Sequence, residues 1–311
     1  MTLVVGATGL LGFEVVKRLR SHGHQVRALC RTPSDRTKAL GALGAEVVAG
    51  DLKDPSSLRA ACDGQEAVVS TATAVARRSA GDSLRTVDRD GQLALVEAAR
   101  SAGVRRFVYV SVSPHLRGTS ALVRYKREVE AAVKASGMEW VVLQPSAFME
   151  TWLSPLLGWD LRAARARIVG TGRSRTSLVS VHDVAGFAVA AVEQLDLANR
   201  EVPLGGPDAL SANEFLALAQ ALTGRVFRVQ RIPAFVPRAL SLLLRPVAAV
   251  PASLMDLAAQ SAAQDDLIDS AELARQLGLA LTSVRDFAIK VVTEDQGAQP
   301  ELRTENGERR P

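Results

Sequence analysis

The 311-residue chain predicts an α/β fold of the Rossmann type: a doubly wound parallel sheet followed by a smaller, mostly helical C-terminal lobe. Three observations predict it. The run Thr2-Leu3-Val4-Val5 leads into the glycine-rich turn Gly6-Ala7-Thr8-Gly9-Leu10-Leu11-Gly12 and then into an apolar stretch of helical period. Short apolar runs alternate with helical stretches through the first half, the pattern of a parallel sheet covered on both faces. Hydrophobic residues make up 47% of the chain, enough for a large core.

Taken in order, strands are expected over residues 2–5, 25–30, 46–49, 67–70, 106–110 and 139–143, with helices over 11–21, 38–43, 56–62, 88–102 and 122–136. Asp54 ahead of Pro55 supplies the start signal of the third helix. After Pro145 the texture changes to Trp152, Trp159 and an arginine-dense stretch over 162–175, then a strand over 177–181. Asp183 fits the N-cap of a helix over 184–192, and Ser211 with Glu214 forms a capping box. A strand after Glu201, another over 225–231 and several helices complete the lobe. The expected domains are 1–150 as a nucleotide-binding unit with 177–200 returning to it, 151–176 and 201–292 as a substrate lobe, and 293–311 as a polar, disordered tail.

Composition excludes several classes. Cys30 and Cys62 have neither redox nor metal-ligand spacing, and the four histidines (His22, His24, His115, His182) carry no metal-like pattern, so no metal is expected. Met1 leads straight into the first strand without a basic, apolar leader, which predicts a cytoplasmic protein. The net charge of +5 is spread along the chain without an aromatic-interleaved basic motif, which argues against nucleic acid. The apolar segment 232–255 is interrupted by Arg238, Arg245 and prolines 233, 237, 246 and 251, so it reads as short helices covering a pocket or forming an interface, not as a membrane span. A peripheral membrane contact is compatible with it.

The glycine turn states the chemistry. A pyrophosphate has to reach backbone N–H groups at a helix N-terminus, where a Cβ would block it, which makes Gly6, Thr8, Gly9, Leu10, Leu11 and Gly12 the candidate diphosphate-binding residues. At the end of the second strand an acidic residue would accept from the ribose hydroxyls of NAD; this chain has Cys30-Arg31-Thr32-Pro33 instead. Arg31 suits a 2′-phosphate, with Arg36 and Lys38 close behind, so NADP(H) is expected in preference to NAD(H). The third strand ends in Gly50-Asp51-Leu52, where Asp51 is equally able to cap the next helix. The fourth ends in Thr71-Ala72-Thr73, small residues that let backbone approach the central riboses.

The Gly6-Ala7-Thr8-Gly9-x-x-Gly12 spacing resembles the extended and atypical branches of the short-chain dehydrogenase/reductase superfamily. That resemblance implies that Asp51 meets the adenine amino group and Leu52 packs on its ring. The superfamily's proton donor is a Tyr one helical turn before a Lys that lowers the phenol's pKa. Ser111 matches the superfamily's Ser position and Lys126 its Lys, but the residue four before Lys126 is Leu122. Tyr125 is adjacent to Lys126 in sequence, rotated about 100° around the helix.

This departure moves the resemblance to the NmrA-like branch, whose members range from quinone and isoflavonoid-type reductases to redox-sensing regulators without turnover. Residues Tyr125 to Glu130, Ser136-Gly137-Met138-Glu139-Trp140 and Gln144-Pro145-Ser146-Ala147-Phe148-Met149 are similar to that branch's helix, strand and nicotinamide-side loop, which implies that Pro145, Ser146 and Phe148 flank the nicotinamide. The branch more often has Arg where this chain has Gln144. His115, in the loop after the fifth strand, is a further candidate proton donor. The resemblance implies an NADP(H)-dependent reductase of a small carbonyl, quinone or conjugated substrate, monomeric or homodimeric, with Lys126, Ser111, Tyr125 and His115 as candidate catalytic residues. The alternative is a non-catalytic NAD(P)-binding redox sensor or assembly factor.

Overall fold

A computed structural model describes residues 1–75, 81–117, 120–245 and 247–293. Most of the expected tail, 294–311, and Pro246 lie outside the described residues. Strands β1 (Thr2–Val5), β2 (Val26–Cys30), β3 (Glu46–Ala49), β4 (Ala67–Ser70), β5 (Arg106–Val110) and β6 (Glu139–Pro145) alternate with α1 (Leu10–Ser21), α2 (Asp35–Ala42), α3 (Pro55–Cys62), α4 (Gln92–Ser101) and α5 (Ala121–Lys134). Then come α6 (Met149–Trp152), β7 (Arg165–Val169), β8 (Arg175–Ser177), α7 (Val181–Glu193), β9 (Arg200–Leu204) and β10 (Ala209–Ser211). The chain continues through α8 (Ala212–Thr223), β11 (Arg228–Ile232), α9 (Phe235–Leu244), α10 (Ala249–Ala263), α11 (Ala271–Gln276) and α12 (Val284–Thr293).

The main sheet has the order β3-β2-β1-β4-β5-β6-β9, and every neighbouring pair is parallel. Strand order reverses between β1 and β4, and the crevice outside the strand ends at such a switch point is where open α/β sheets bind ligands. Alternation along the strands splits the core. Val4, Ala28, Val108 and Val141 face α1 and α7, whereas Leu3, Val5, Leu29, Val68, Phe107 and Val142 face α3, α4 and α5.

Four expectations are corrected, the last of them in the stretch before α4. Residues 200–204 pair with β6 as the seventh strand of the main sheet rather than belonging to the lobe, and Ala274 with Leu277 and Leu279 packs against the α1 side of the core. Helix α7 is capped by Ser180, whose side chain accepts from the His182 N–H, so Asp183 lies inside the first turn. Its buried carboxylate instead accepts from Thr282 N–H and Oγ1, strapping the C-terminal segment to α7. Third, the strand expected over 177–181 is β8 over Arg175–Ser177, antiparallel to β10. The Ser211–Glu214 capping box of α8 is present, and so is the Asp54 cap of α3.

A π-helical turn over Leu84–Gly91 precedes α4 where a plain helix from Asp88 was expected. It turns Asp88 and Gln92 inward, both fully buried. Asp88 Oδ2 accepts from the Ala74 N–H at 2.9 Å, Gln92 Oε1 accepts from Ser70 Oγ at 2.7 Å, and Gln92 Nε2 donates to the Ala72 carbonyl at 3.1 Å. The loop leaving β4 is thereby moulded from below by two polar groups one helical turn apart. Beyond the sheet, β7 and β11 form a parallel ribbon, and Trp159 meets Phe215 edge-on at 4.8 Å in the lobe's own apolar cluster. Leu84, Leu122 and Val123 join Val250 and Leu257 of α10, fastening the lobe to α5.

Candidate functional site

The glycine turn sits at the switch point. Gly6 has φ +86, and a Cβ on it would stand 2.7 Å from Thr71 Oγ1 and 2.8 Å from the Ala72 nitrogen. A Cβ on Gly12 would lie 2.2 Å from the Gly6 carbonyl oxygen. Both approaches are closer than any real Cβ contact, so the turn tolerates only glycine here. Gly9 is the N-cap of α1 and offers no side chain, so the first N–H groups of the helix face a cradle with Gly9 and Leu10 exposed. Thr8 and Leu11 complete it, Leu11 turned into the core. A cradle that side chains would fill, at the positive end of a helix, fits a dinucleotide diphosphate.

At the end of β2, Arg31 forms an ion pair with the carboxylate of Asp82, which also binds Lys53. Lys53 further pairs with Asp51 at 3.4 Å, and Asp51 Oδ1 accepts from the Lys53 N–H at 2.9 Å. Asp51 thus forms a local turn, while Asp54 caps α3. Leu52 is buried among Leu3, Val5 and Leu29 and contributes to the core at this edge. Arg36 donates to the Thr8 and Gly9 carbonyls at 3.3 and 3.2 Å and lies over the Phe13 ring, which brings a second guanidinium to the rim of the glycine turn. Lys38 is exposed and pairs with Asp35. Thr71 bonds back to the Val5 carbonyl through N–H and Oγ1, Ala72 lies against Gly6, and Thr73 Oγ1 accepts from the Val75 N–H.

At the other end of the crevice, Lys126 is 5% exposed. Its Nζ donates to the Val110 carbonyl at 3.0 Å and stands 4.9 Å from the centroid of the Tyr109 ring. Burial lowers its pKa, and the charges of Asp88 and Glu130 oppose that shift. Burial raises the Asp88 carboxyl, against the pull of Lys126. The Tyr109 phenol is pushed well up by burial and by the same two carboxylates. Ser111 Oγ is buried with no hydrogen-bond partner, an orphaned hydroxyl on the residue that directly follows β5. Such a group fits a ligand hydroxyl.

The superfamily's Tyr position holds Leu122, buried against α10. Tyr125 joins the same cluster half-buried, beneath the Arg124 guanidinium, and is not gathered with Ser111. Gln144 is buried and donates to Glu130 and Glu201 at 3.3 Å each, so it serves packing between α5 and β9.

His115 acquires a partner that the sequence did not reveal. Its Nδ1 lies 2.8 Å from Oδ1 of Asp266, which also accepts from Ser113 Oγ at 2.7 Å, while Asp266 Oδ2 accepts from Ser146 Oγ at 3.0 Å. Asp266 is itself strapped to β8 by the Ser177 N–H to its carbonyl and by its own N–H to the Arg175 carbonyl. One carboxylate from the lobe therefore ties together the loops leaving β5 and β6. Arg127 holds the same β5 loop from α5, donating to the Ser113 carbonyl at 2.6 Å. Pro145 ends β6 opposite Leu204, and Phe148 bridges to Val179 at the start of α6. Asp82, Asp88, Gln92 and Asp266 were missed in the sequence. Asp88 and Gln92 had a signal, two polar residues four apart on the apolar face of a helix; Asp82 and Asp266, in loops, had none.

A doubly wound sheet with an uncapped, glycine-only turn at its switch point defines a dinucleotide-binding protein. A family model described as NAD(P)H-binding matches residues 6–195, and the chain belongs to that family. It is 30% identical over 246 residues to the photosystem II assembly factor Ycf39 of Trieres chinensis, covering 77% of this chain and 74% of the relative. It is 32% identical over 231 residues to the NAD(P)H azoreductase of Xenophilus azovorans, covering 73% and 76%. Its fold matches that of the NADPH-dependent quinone oxidoreductase QOR2 of Escherichia coli, solved with NADPH, with a TM-score of 0.74 at 21% identity over 94% of this chain and 100% of that chain. No helix among the described residues is long and apolar enough to cross a membrane.

Proposed function

We propose that the protein is an NADPH-dependent reductase of a small carbonyl, quinone or conjugated acceptor, working as a cytoplasmic monomer or homodimer. The observation that carries this reading is the uncapped, glycine-only turn Gly6 to Gly12 at the switch point of the sheet, with the buried Lys126 held on the Val110 carbonyl at the end of β5 and the orphaned Ser111 hydroxyl in the next residue of the chain. When bound, the reduced nicotinamide supplies the hydride. The turn's N–H groups hold the diphosphate, and Arg31 and Arg36 take the 2′-phosphate. Thr71, Ala72 and Thr73 flank the central riboses and Asp51 the adenosine end. Lys126 and Ser111 donate to the nicotinamide ribose, and Lys126 adds positive charge where the acceptor gains negative charge. Pro145, Ser146 and Phe148 line the nicotinamide side.

His115 takes over the proton delivery that the missing tyrosine would perform. Asp266 accepts from Nδ1–H, so the doubly protonated ring, half exposed, is left with its Nε2–H to give to the acceptor atom, returning to the neutral Nδ1–H form. A quinone-like acceptor also takes protons from water, so loss of the phenol is tolerable.

Calorimetric titration with NADPH, NADP+ and NADH, followed by NADPH oxidation with a benzoquinone, tests the proposal. Tight NADPH binding, much weaker NADH binding and quinone-dependent oxidation are expected. The buried Leu122 at the phenol position favours a second reading, a cofactor-binding sensor or assembly factor. Binding that prefers NADP+ with no oxidation of NADPH by any acceptor selects that reading, and binding of no nucleotide removes both.

A further inference from the structure

Helix α9 inverts the usual distribution of side chains. It buries Pro237 and Ser241, one helical turn apart, and leaves Phe235 at 70%, Leu242 at 56% and Leu243 at 71% exposure, with Val247 just beyond its end at 81%. The buried stripe packs on α10, where Val250, Ala252 and Ser253 are buried in turn. Small residues let two helices approach closely, and large apolar ones pointing away from that seam are the arrangement of helices whose outer face meets an apolar phase. A helix bathed in water does the reverse. Scattered exposed leucines are ordinary, but this set sits on one helix and its exit.

The charge pattern names the occupant. From Phe215 to Met255 the chain has no Asp or Glu and carries arginines at 225, 228, 231, 238 and 245. Arg238 is exposed among the leucines of α9, and Arg228 and Arg231 are exposed on β11, which feeds directly into it. Apolar side chains, an aromatic and a cation without acids on a helix too short to span, flanked by exposed arginines on β11, are the composition of a helix that lies in a lipid interface, while Arg245 at its exit pairs with Asp256 of α10. A second copy docked on this face would set the same arginines against themselves.

We propose that α9 and its exit through Val247 form a docking surface that inserts into the headgroup layer of an anionic lipid bilayer. The surface owes nothing to hydride transfer and stands or falls independently of the reductase reading.

The test is co-sedimentation of the full chain with vesicles of phosphatidylcholine alone or mixed with phosphatidylglycerol, with the solution mass of each variant measured in parallel. Wild type should sediment with the anionic vesicles, weakly with the neutral ones, and less as salt is raised. Leu243→Asp, at an exposed position that leaves the circular dichroism spectrum unchanged, should reduce partitioning at least ten-fold, and Arg238→Gln about five-fold. Wild type remaining in the supernatant would overturn the proposal, as would unchanged partitioning of both variants. A homodimer that Leu243→Asp converts to monomer, without vesicle binding by wild type, would assign the face to a second copy instead.

Discussion

The two ends of the crevice are built by opposite means. At the β1 end, seven consecutive residues make a binding surface out of backbone, and its shape is enforced by the distances a Cβ would violate at Gly6 and Gly12. At the β5 and β6 end, the surface is made of side chains brought from positions 111, 113, 115, 126, 146 and 266, three of which, Ser113, His115 and Ser146, are joined by the single carboxylate of Asp266. A backbone site is rigid because its own turn leaves no alternative. A side-chain site depends on several loops and on the lobe that supplies its central acceptor. Substitutions at the two ends should accordingly differ in kind, and the differences test the comparison.

The largest effect is expected at the backbone end. Gly12→Ala should cost about 3 kcal/mol in urea unfolding, since the methyl meets a carbonyl that cannot move without displacing the whole turn. NADPH binding should disappear with it, and a variant that binds normally would show that the turn yields. At the other end, Lys126→Met should lower turnover by roughly 100-fold or more, judged from the loss of one donor to developing charge. It should also destabilise the fold, because Asp88 is left buried without its cation. Steady-state kinetics with quinone and a urea titration separate the two.

Asp266→Ala should lower kcat by roughly 10- to 100-fold with less change in KM, as expected for loss of an oriented proton donor. The sharper measurement is the double variant with His115→Ala. If Asp266 acts by holding His115, it should lose little more than His115→Ala alone, whereas additive losses would separate the two residues. At the adenosine end, Arg31→Ser with Arg36→Ser should weaken NADPH about 10- to 100-fold while leaving NADH unchanged, because charge-assisted bonds to a 2′-phosphate are what they remove. Equal losses for both nucleotides would place the arginines elsewhere.

The smallest effect concerns the lobe's capping box. The Ser211 backbone N–H, first, and then Arg175 hold the Glu214 carboxyl down at about 2. A depressed carboxylate adds stability above its unfolded pKa and loses it as pH falls through the folded one. Wild type should therefore melt above Glu214→Gln near neutral pH, and the gap should close between about pH 4 and about pH 2. A gap that persists at pH 2 would mean that the charge is not what stabilises the cap.

By itself, the sequence determined the parallel sheet, the glycine turn and the arginines beside it. Each rests on contiguous residues: strand periodicity, a helix start, and a turn that needs glycine for steric reasons local to it. Ser111 and Lys126 were legible at fixed offsets within one strand-loop-helix unit.

Tertiary structure decided the rest. It placed residues 200–204 in the main sheet, since pairing with β6 satisfies an edge that no local signal announces. It turned Asp88 and Gln92 beneath the β4 loop through a π-helical turn. Asp266 reached His115 from 151 residues away, and Asp82 stands 51 residues from Arg31. An isolated aspartate in a loop looks like any solvated loop aspartate until the chain closes around it. The reason is physical: backbone geometry is set by near neighbours in sequence, while the partners of a side chain are set by which loops the packed core brings to the same edge of the sheet.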